Sequence, residues 1–299
     1  MSIKAHPPHQ ELHIPVLLDQ TLESLQPQAG ESYLDLTAGY GGHAAAFIER
    51  TGSPTRATLV DRDDYAIQRL AAFADKGVRL LHTDFVSAAR QLVEEGAQFD
   101  VVLCDLGVSS PQLDQSERGF SFMRGGPLDM RMDRRQELTA EKLVNTAKAD
   151  ELTRIIREYG EETPATAKRI AAAIAQNRPL KTTDELAELI KHEIRGKWGK
   201  THPATRTFQA LRIAVNDELR QVADVLPLLP KLLRKGGRVG IISFHSLEDR
   251  LVKRYFAEQA ASGFEAELRV LTKKPIDGAT EDVHNPRARS AKLRVAVKI

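Results

Sequence analysis

The chain has 299 residues, of which 41% are hydrophobic and 28% are charged. These proportions are ordinary for a soluble globular protein, and no apolar run approaches the roughly 20 residues of a membrane-spanning helix. The net charge of +2 neither demands nor excludes a nucleic-acid partner. One cysteine, Cys104, excludes an internal disulfide and a cysteine-rich metal site. The N-terminus, MSIKAHPPHQELH, has no apolar signal-peptide core, so we expect a cytoplasmic protein with no membrane partner.

Apolar runs alternate with segments of helical spacing over the first hundred residues. The runs 32–36, 57–61, 78–82 and 100–106 are predicted strands, and 44–50, 65–75 and 86–95 are predicted helices. This alternation predicts right-handed βαβ units and a parallel sheet.

The alternation stops near residue 113 and resumes after residue 226. The intervening segments show helical spacing, and three further strands are predicted at 238–244, 268–272 and 292–298. We therefore predict an α/β fold with a mainly parallel seven-stranded sheet. Residues 1–112 and 218–299 would form one discontinuous domain, and residues 113–217 an inserted all-helical domain.

A glycine-rich loop, Asp35 to Phe47, follows the first predicted strand and reads DLTAGYGGHAAAF. A P-loop would have a Lys-Ser/Thr pair after its last glycine, whereas this loop has His43 and Ala44 there. A dinucleotide loop would have a third glycine where Ala44 stands. The loop is therefore neither of the two common phosphate loops.

Acidic residues follow four of the predicted strands: Asp35, Asp61, Asp84 and Asp105. Ligands of open parallel sheets bind beyond the carboxyl ends of the strands. Asp61 lies some twenty residues past the glycines, where an acid takes the hydroxyls of a ribose. Asp84 and the adjacent Phe85 would hydrogen-bond an adenine amine and stack on its ring.

The four acids favour one cofactor over another. A cup of carboxylates suits the cationic S-adenosylmethionine better than the anionic pyrophosphate of NAD. We therefore expect S-adenosylmethionine, with NAD as the weaker alternative and a fold without a cofactor as the third. The matching protein classes are a methyltransferase, a dinucleotide-dependent oxidoreductase and a non-catalytic RNA-binding protein.

The segment from Asp105 to Asp133, DLGVSSPQLDQSERGFSFMRGGPLDMRMD, closely resembles the bacterial RsmH or MraW family. The resemblance runs from HIPVLLDQTL near the N-terminus to the end, and includes TAGYGGHA, LVDRD, FQALRIAVNDEL, ISFHSLEDRLVK and NPRARSAKLR. It implies a class I, Rossmann-like methyltransferase that uses S-adenosylmethionine. The substrate would be the N4 amine of a decoding-centre cytidine in 16S rRNA of the small ribosomal subunit, and a homodimer is left open.

The resemblance also implies the cofactor-binding residues. They are Gly41, Gly42, His43, Asp61, Phe85, Asp105 and Gln112. Many members of the family have a further glycine where Tyr40 stands, and we expect little effect of that difference on binding.

Asp105 is the candidate catalytic residue. One hypothesis is that it, or the backbone beside it, orients the target amine for in-line methyl transfer. The alternative is that it only holds the ammonium of the methyl donor. Asp35, Asp84, Ser109 and Ser110 are further candidate contacts of cofactor or base, and no metal site is predicted. His245 would be a general base, a helix cap or part of the RNA path.

The RNA-binding candidates lie in the insertion and in the C-terminal tail. They are Phe120, Phe122, Lys197, Trp198, Arg287 and Arg289. Phe120 and Phe122 would stack on a flipped base or plug the loop against the insertion. Trp198 would stack on RNA or pack in the core. The basic stretch 191–206 and the tail 285–294 would grip phosphates from two sides.

Overall fold

The computed structural model describes residues 15–194 and 202–299, and within them one eight-stranded sheet forms the centre of the protein. The strands are β1 Tyr33–Asp35, β2 Ala57–Asp61, β3 Arg79–His82, β4 Phe99–Asp105, β5 Leu233–Ser243, β6 Leu268–Val270, β7 Ile276–Asp277 and β8 Lys292–Lys298. Their order in the sheet is β3-β2-β1-β4-β5-β8-β6, and β7 also pairs with β8.

The strands β1 to β5 pair in parallel, and β8 runs antiparallel between β5 and β6. Asp35 at the end of β1 pairs with Leu59 of β2 and with Leu103 of β4. Asp61 and Asp105 each lie two residues beyond those partners. The register therefore brings three of the strand-end acids to one edge of the sheet.

Helices cover both faces of the sheet, and a separate group forms the insertion. Around the sheet lie α1 Leu18–Leu25, α2 Gly42–Thr51, α3 Asp64–Ala74, α4 Phe85–Glu94, α5 Ser110–Asp114, α11 Glu218–Val225, α12 Leu229–Leu232, α13 Ser246–Ala261 and α14 Gly278–Glu281. The insertion contains α6 Ala140–Thr146, α7 Ala149–Tyr159, α8 Pro164–Gln176, α9 Thr183–Glu193 and α10 Thr205–Asn216. Among the described residues, no helix is both long and apolar enough to cross a membrane.

Successive residues of the central strands pack into two different hydrophobic cores, one on each face of the sheet. Leu34 and Val102 belong to the core beneath α4 and α12, whereas Tyr33 and Val101 belong to the core beneath α1 and α2. This follows from the two-residue period of a strand, whose side chains point to opposite faces. Because both faces are covered, the strands read as continuous apolar runs.

The insertion has a hydrophobic core of its own, formed by buried residues between Phe120 and Val215. That separate core supports the predicted insertion at 113–217, although its boundaries stay a prediction. The α/β class with a mainly parallel sheet is as predicted, and all seven predicted strands form.

Two elements differ from the prediction. Strand β7 has only two residues, too few to show a period in the sequence. The sequence from Thr207 to Leu226 has the spacing of one continuous helix, but in the structure it breaks at Asp217, whose φ is 51°. This left-handed residue ends α10 and begins α11, so the chain leaves the insertion through a sharp turn.

Candidate active site

The loop between β1 and α2 turns through Gly39 and Gly41, whose φ angles are 53° and 84°. The left-handed region favours glycine because a Cβ is strained there. A Cβ on Gly41 would also lie 2.6 Å from the ring of Phe73, and one on Gly42 would lie 2.5 Å from Pro15. These contacts are too short for a side chain, so both positions of the loop require glycine.

Asp35 ends β1 as an acid with 1% of its surface exposed. The Tyr33 hydroxyl donates to its Oδ2 at 2.8 Å, and the Thr37 backbone N–H donates to its Oδ1 at 3.1 Å. Burial raises the pKa of Asp35 to about 7, against the opposing effect of these hydrogen bonds. Asp35 therefore changes charge close to neutral pH.

Asp105 ends β4 and is fixed through its backbone N–H, which donates to Thr37 Oγ1 at 2.6 Å. Its Oδ1 atom is buried and accepts no hydrogen bond from the described residues, although 25% of the side chain is exposed. Burial raises the pKa of Asp105 well above its usual range, and the charges of Asp35 and Glu248 raise it further. A buried acceptor without a donor is costly, so Asp105 marks a place for a ligand's donor.

His43 lies in the first turn of α2, beside Asp105. Its Nε2 is 3.1 Å from the Val16 carbonyl oxygen, and its Nδ1 is 3.6 Å from Asp105 Oδ2. Because a carbonyl only accepts, Nε2 carries a hydrogen in this contact. With that hydrogen on Nε2, neutral Nδ1 is an acceptor, as is a carboxylate oxygen. The contact between Nδ1 and Asp105 is therefore attractive when either the imidazole or the carboxyl group carries one more proton.

Asp61 ends β2 and fastens the glycine loop to the sheet. Its Oδ2 accepts the Gly39 N–H at 2.8 Å, and its Oδ1 accepts the Asp63 N–H at 2.8 Å. Burial raises the pKa of this carboxyl group. Each carboxylate oxygen has a second acceptor position, so the oriented group fits the hydroxyls of a ribose.

Asp84 caps the start of α4. Its carboxylate accepts the N–H of Val86 at 3.0 Å, the N–H of Ser87 at 2.9 Å and the Ser87 hydroxyl at 2.7 Å. The adjacent Phe85 is half-buried and packs against the core of the sheet. Its stacking on adenine, and a contact of Asp84 with the adenine amine, stay predictions.

The predicted cup of four carboxylates contains three interacting acids. The charge of Asp61 raises the pKa of Asp35, and the charge of Asp35 in turn raises the pKa of Asp105. Asp84 is directed to its own helix instead. The difference arises because an Asp just before a helix is an N-cap, a role that competes with ligand binding.

Ser109 and Gln112 form a capping box at the start of α5. The Ser109 N–H donates to Gln112 Oε1 at 3.0 Å, and the Gln112 N–H donates to Ser109 Oγ at 3.4 Å. The Gln112 amide also donates to Asp63 Oδ2 at 2.7 Å. Ser110 is the half-buried first residue of this helix. Both polar atoms of the Gln112 side chain are therefore hydrogen-bonded, and its partner Asp63 also donates a backbone N–H to Asp61.

Comparison with known proteins shows which family the chain resembles. The model of the MraW methylase family matches residues 10–299. The chain belongs to that family. Ribosomal RNA small subunit methyltransferase H from a Synechocystis strain is 48% identical, over 96% of this chain and 93% of that protein. The protein of that name from Heliobacterium modesticaldum is 46% identical, over 96% and 98%. Among solved structures, TrmN from Thermus thermophilus matches 98% of this chain and 51% of its own at 12% identity and a TM-score of 0.45, a likeness too distant to bear on the site.

The predicted resemblance is therefore confirmed, and S-adenosylmethionine is the cofactor of this methylase, as predicted. The site fits that molecule. The open Oδ1 of Asp105 would accept a hydrogen from a cationic or amine group, and the oriented carboxylate of Asp61 would accept ribose hydroxyls. When bound, the cofactor supplies the electrophilic methyl group.

The methylase packs its two aromatic loop residues inside the insertion. Phe120 is 7% exposed, and the Phe122 ring lies 4.7 Å from the His202 ring and 4.8 Å from the Phe208 ring. This arrangement favours the packing alternative over base stacking for both. The neighbouring Met123 is 79% exposed and is the apolar side chain that this loop presents to solvent.

The basic candidates for RNA binding differ in whether their charged groups are already paired with an acid. Arg287 donates to both carboxylate oxygens of Asp114, at 2.8 and 2.9 Å, whereas Arg289 is exposed. Lys197 and Trp198 lie outside the described residues. Arg289 is therefore the clearest of these cations for contact with RNA.

His245 caps α13 and contacts Glu248. Its Nδ1 accepts the Glu248 N–H at 3.4 Å, and its Nε2 is 3.2 Å from Glu248 Oε1. Possible ligand atoms of Glu218, His245 and Glu248 lie within 4.8 Å of one another. However, Arg212 donates twice to Glu218, at 2.8 and 2.9 Å, so a half-buried guanidinium already supplies positive charge there. The structure favours the helix-cap role of His245.

Sequence reasoning missed a buried ion pair beside the predicted cofactor residues. Arg118 Nη1 lies 2.8 Å from Asp63 Oδ2, and each residue is 2% exposed. Asp63 stands two residues before Tyr65 at the start of α3, which is a signal for an N-cap. Nothing in the sequence indicates that Arg118 is buried, because its partner is 55 residues away.

Proposed function

We propose that this methylase transfers the methyl group of S-adenosylmethionine to the N4 amine of a decoding-centre cytidine in 16S rRNA. The names of its relatives describe methyltransferases of small-subunit ribosomal RNA, which supports that RNA as the substrate. The choice of cytosine N4 and of the decoding centre comes from the sequence resemblance. The reaction would take place in the cytoplasm, on the small ribosomal subunit.

The open oxygen of Asp105 carries the proposal. Oδ1 is a buried acceptor at the carboxyl end of β4, beside the glycine loop and without a donor among the described residues. Both the target amine and the ammonium of the methyl donor carry N–H groups that match it. An enzyme that brings an amine and a cation together needs such an acceptor at their meeting point.

The exocyclic amine of cytosine is a weak nucleophile, because its lone pair is delocalised into the ring. We infer that Asp105 accepts one amine hydrogen at Oδ1 and so directs the nitrogen toward the methyl group. Most of the acceleration then comes from the positioning of two bound reactants. In the alternative, Oδ1 accepts the ammonium N–H of the cofactor, and another group orients the amine.

The insertion at 113–217 is the proposed RNA-recognition domain. It begins next to Gln112, and at its other end the Asn216 carbonyl oxygen accepts a hydrogen bond from Nη1 of Arg62, the residue after Asp61, at 3.3 Å. The basic stretch 191–206 of the insertion would be one contact with RNA phosphates, and exposed Arg289 in the tail would be the second. Two separated contacts with phosphates would give RNA binding a steep dependence on salt.

A transfer assay tests the proposal. Purified protein is incubated with methyl-labelled S-adenosylmethionine and small ribosomal subunits that lack the modification, and the label in each RNA is counted. We expect label in 16S rRNA with the native chain and with Asp75→Asn, an exposed acid at the end of α3. We expect almost none with Asp105→Ala, which removes the Oδ1 acceptor. Cofactor binding without label in small-subunit RNA would refute the proposed substrate.

A further inference from the structure

Arg118 is the first strongly buried charge of the insertion, and its guanidinium contacts both domains. Nη1 donates to Asp63 Oδ2 at 2.8 Å. Nη2 donates to the carbonyl oxygens of Arg131 at 3.0 Å and of Met132 at 3.3 Å. The planar fork of arginine makes such simultaneous contacts possible. The Arg118 side chain thereby joins both ends of the segment 118–132 to Asp63, two residues beyond the end of β2.

Aromatic rings enclose this guanidinium. Its central carbon lies 5.4 Å from the centre of the Tyr65 ring and 5.8 Å from that of Phe120. Cations within about 6 Å of a ring face are attracted by its electrons. Tyr65 belongs to the cofactor-binding domain and Phe120 to the core of the insertion, so the enclosure also spans the two domains.

Asp63 transmits this contact to two cofactor residues. Its Oδ2 accepts the Gln112 amide at 2.7 Å as well as Arg118, and its Oδ1 accepts the Tyr65 N–H at 3.1 Å. Its backbone N–H orients Asp61 at 2.8 Å. Without Arg118, the Asp63 carboxylate would be a buried charge with no cationic partner, an arrangement that a protein relaxes by moving or hydrating the group. Either change would disturb Gln112 and Asp61 together.

We propose that Arg118 is a positioning residue for the methyl donor: through Asp63 it holds Asp61 and Gln112 in place, so the insertion helps to shape the cofactor site. The inference rests on the proposed function only in taking S-adenosylmethionine as the ligand. It makes cofactor affinity depend on a residue that lies in the RNA-recognition domain.

The test compares three variants for affinity and stability. S-adenosylhomocysteine is titrated into the full-length native chain, Arg118→Gln, Asp63→Asn and Arg124→Gln, and the thermal midpoint of each is measured without ligand. Arg124 is the matched control, an exposed arginine of the same loop that contacts the Asp114 carbonyl rather than Asp63. We expect Arg118→Gln and Asp63→Asn to weaken binding roughly tenfold or more, and Arg124→Gln to bind as the native chain does.

The outcomes separate this inference from the proposed function. A folded Arg118→Gln that loses thermal stability but keeps native affinity would show a merely structural role and overturn the inference. If Arg118→Gln does not fold, Asp63→Asn decides in the same way, because its side-chain oxygen still caps α3. Raised cofactor KM with nearly unchanged kcat is the expected kinetic signature. A native chain that binds no S-adenosylhomocysteine would contradict the proposed function itself.

Discussion

At the scale of single residues, the candidate site contains two acids whose protonation is set by burial. Asp35 and Asp105 are close in space, and burial raises the pKa of both. A bound cation or amine favours their charged forms. The site is therefore electrostatically prepared for a positively charged ligand rather than for a phosphate.

Asp105→Ala, which removes the acceptor oxygen, separates the two roles of that residue. If Oδ1 orients the amine, kcat falls by about 100-fold while the dissociation constant of the cofactor changes little. Single-turnover rates and calorimetric titration with S-adenosylhomocysteine measure the two quantities. Loss of cofactor affinity with little change in kcat would assign Asp105 to the ammonium instead.

Asp35 gives the apo protein a characteristic dependence of stability on pH. Its folded pKa of about 7 exceeds the ordinary 3.8, so the folded state binds the proton more tightly. The resulting stability is fully present below about pH 4 and is lost as pH rises through about 7. Between pH 5 and 8 we expect the free energy of unfolding to fall by about 2–3 kcal/mol from this group.

Asp35→Asn is the comparison for this prediction. An asparagine does not titrate, so urea unfolding of the variant should show a smaller loss of stability between pH 5 and 8. Identical pH profiles for the native chain and the variant would mean that Asp35 is already charged at pH 5.

At the scale of elements, buried parallel strands were the most predictable feature. Strands β1, β2 and β4 appear as apolar runs because helices cover both faces of the sheet. The break at Asp217 was not predictable, since neither glycine nor proline marks it. The strand-end acids follow from topology, whereas the pairing of Asp63 with Arg118 depends on how the insertion folds back over the sheet.

The start of α4 tests whether Asp84 serves the helix or the cofactor. Its carboxylate already accepts three hydrogen bonds from residues of that helix. We expect Asp84→Ser, which keeps a capping oxygen, to retain cofactor affinity, and Asp84→Ala to lose about 1 kcal/mol of stability. A marked loss of S-adenosylhomocysteine affinity in Asp84→Ser would establish the predicted contact with adenine.

At the scale of the whole molecule, the start of the insertion and the C-terminal tail meet at the carboxyl edge of the parallel strands. Arg287 of the tail pairs with Asp114 at the start of the insertion, which ties the two together. Arg289 points to solvent from the same turn and leaves its charge available. Arg289 is therefore a cation at this edge that is exposed to an RNA partner.

Arg289→Glu tests whether this cation contacts RNA. Removing one phosphate contact should weaken binding to 16S rRNA and reduce the slope of log affinity against log salt by about one. Filter binding at several salt concentrations measures both. Arg50→Glu is the control, because Arg50 is an exposed cation in the last turn of α2, away from the carboxyl edge of the sheet. Equal salt slopes for the two variants would exclude Arg289 from the RNA interface.

The central claim is methylation of cytosine N4 in small-subunit RNA, and identification of the labelled nucleoside tests it most directly. Small subunits lacking the modification are methylated in vitro, the 16S rRNA is digested, and the nucleosides are separated and analysed by mass spectrometry. We predict one labelled product, N4-methylated cytidine, from a decoding-centre fragment. Label in any other nucleoside, or at C5 of cytosine, would contradict it.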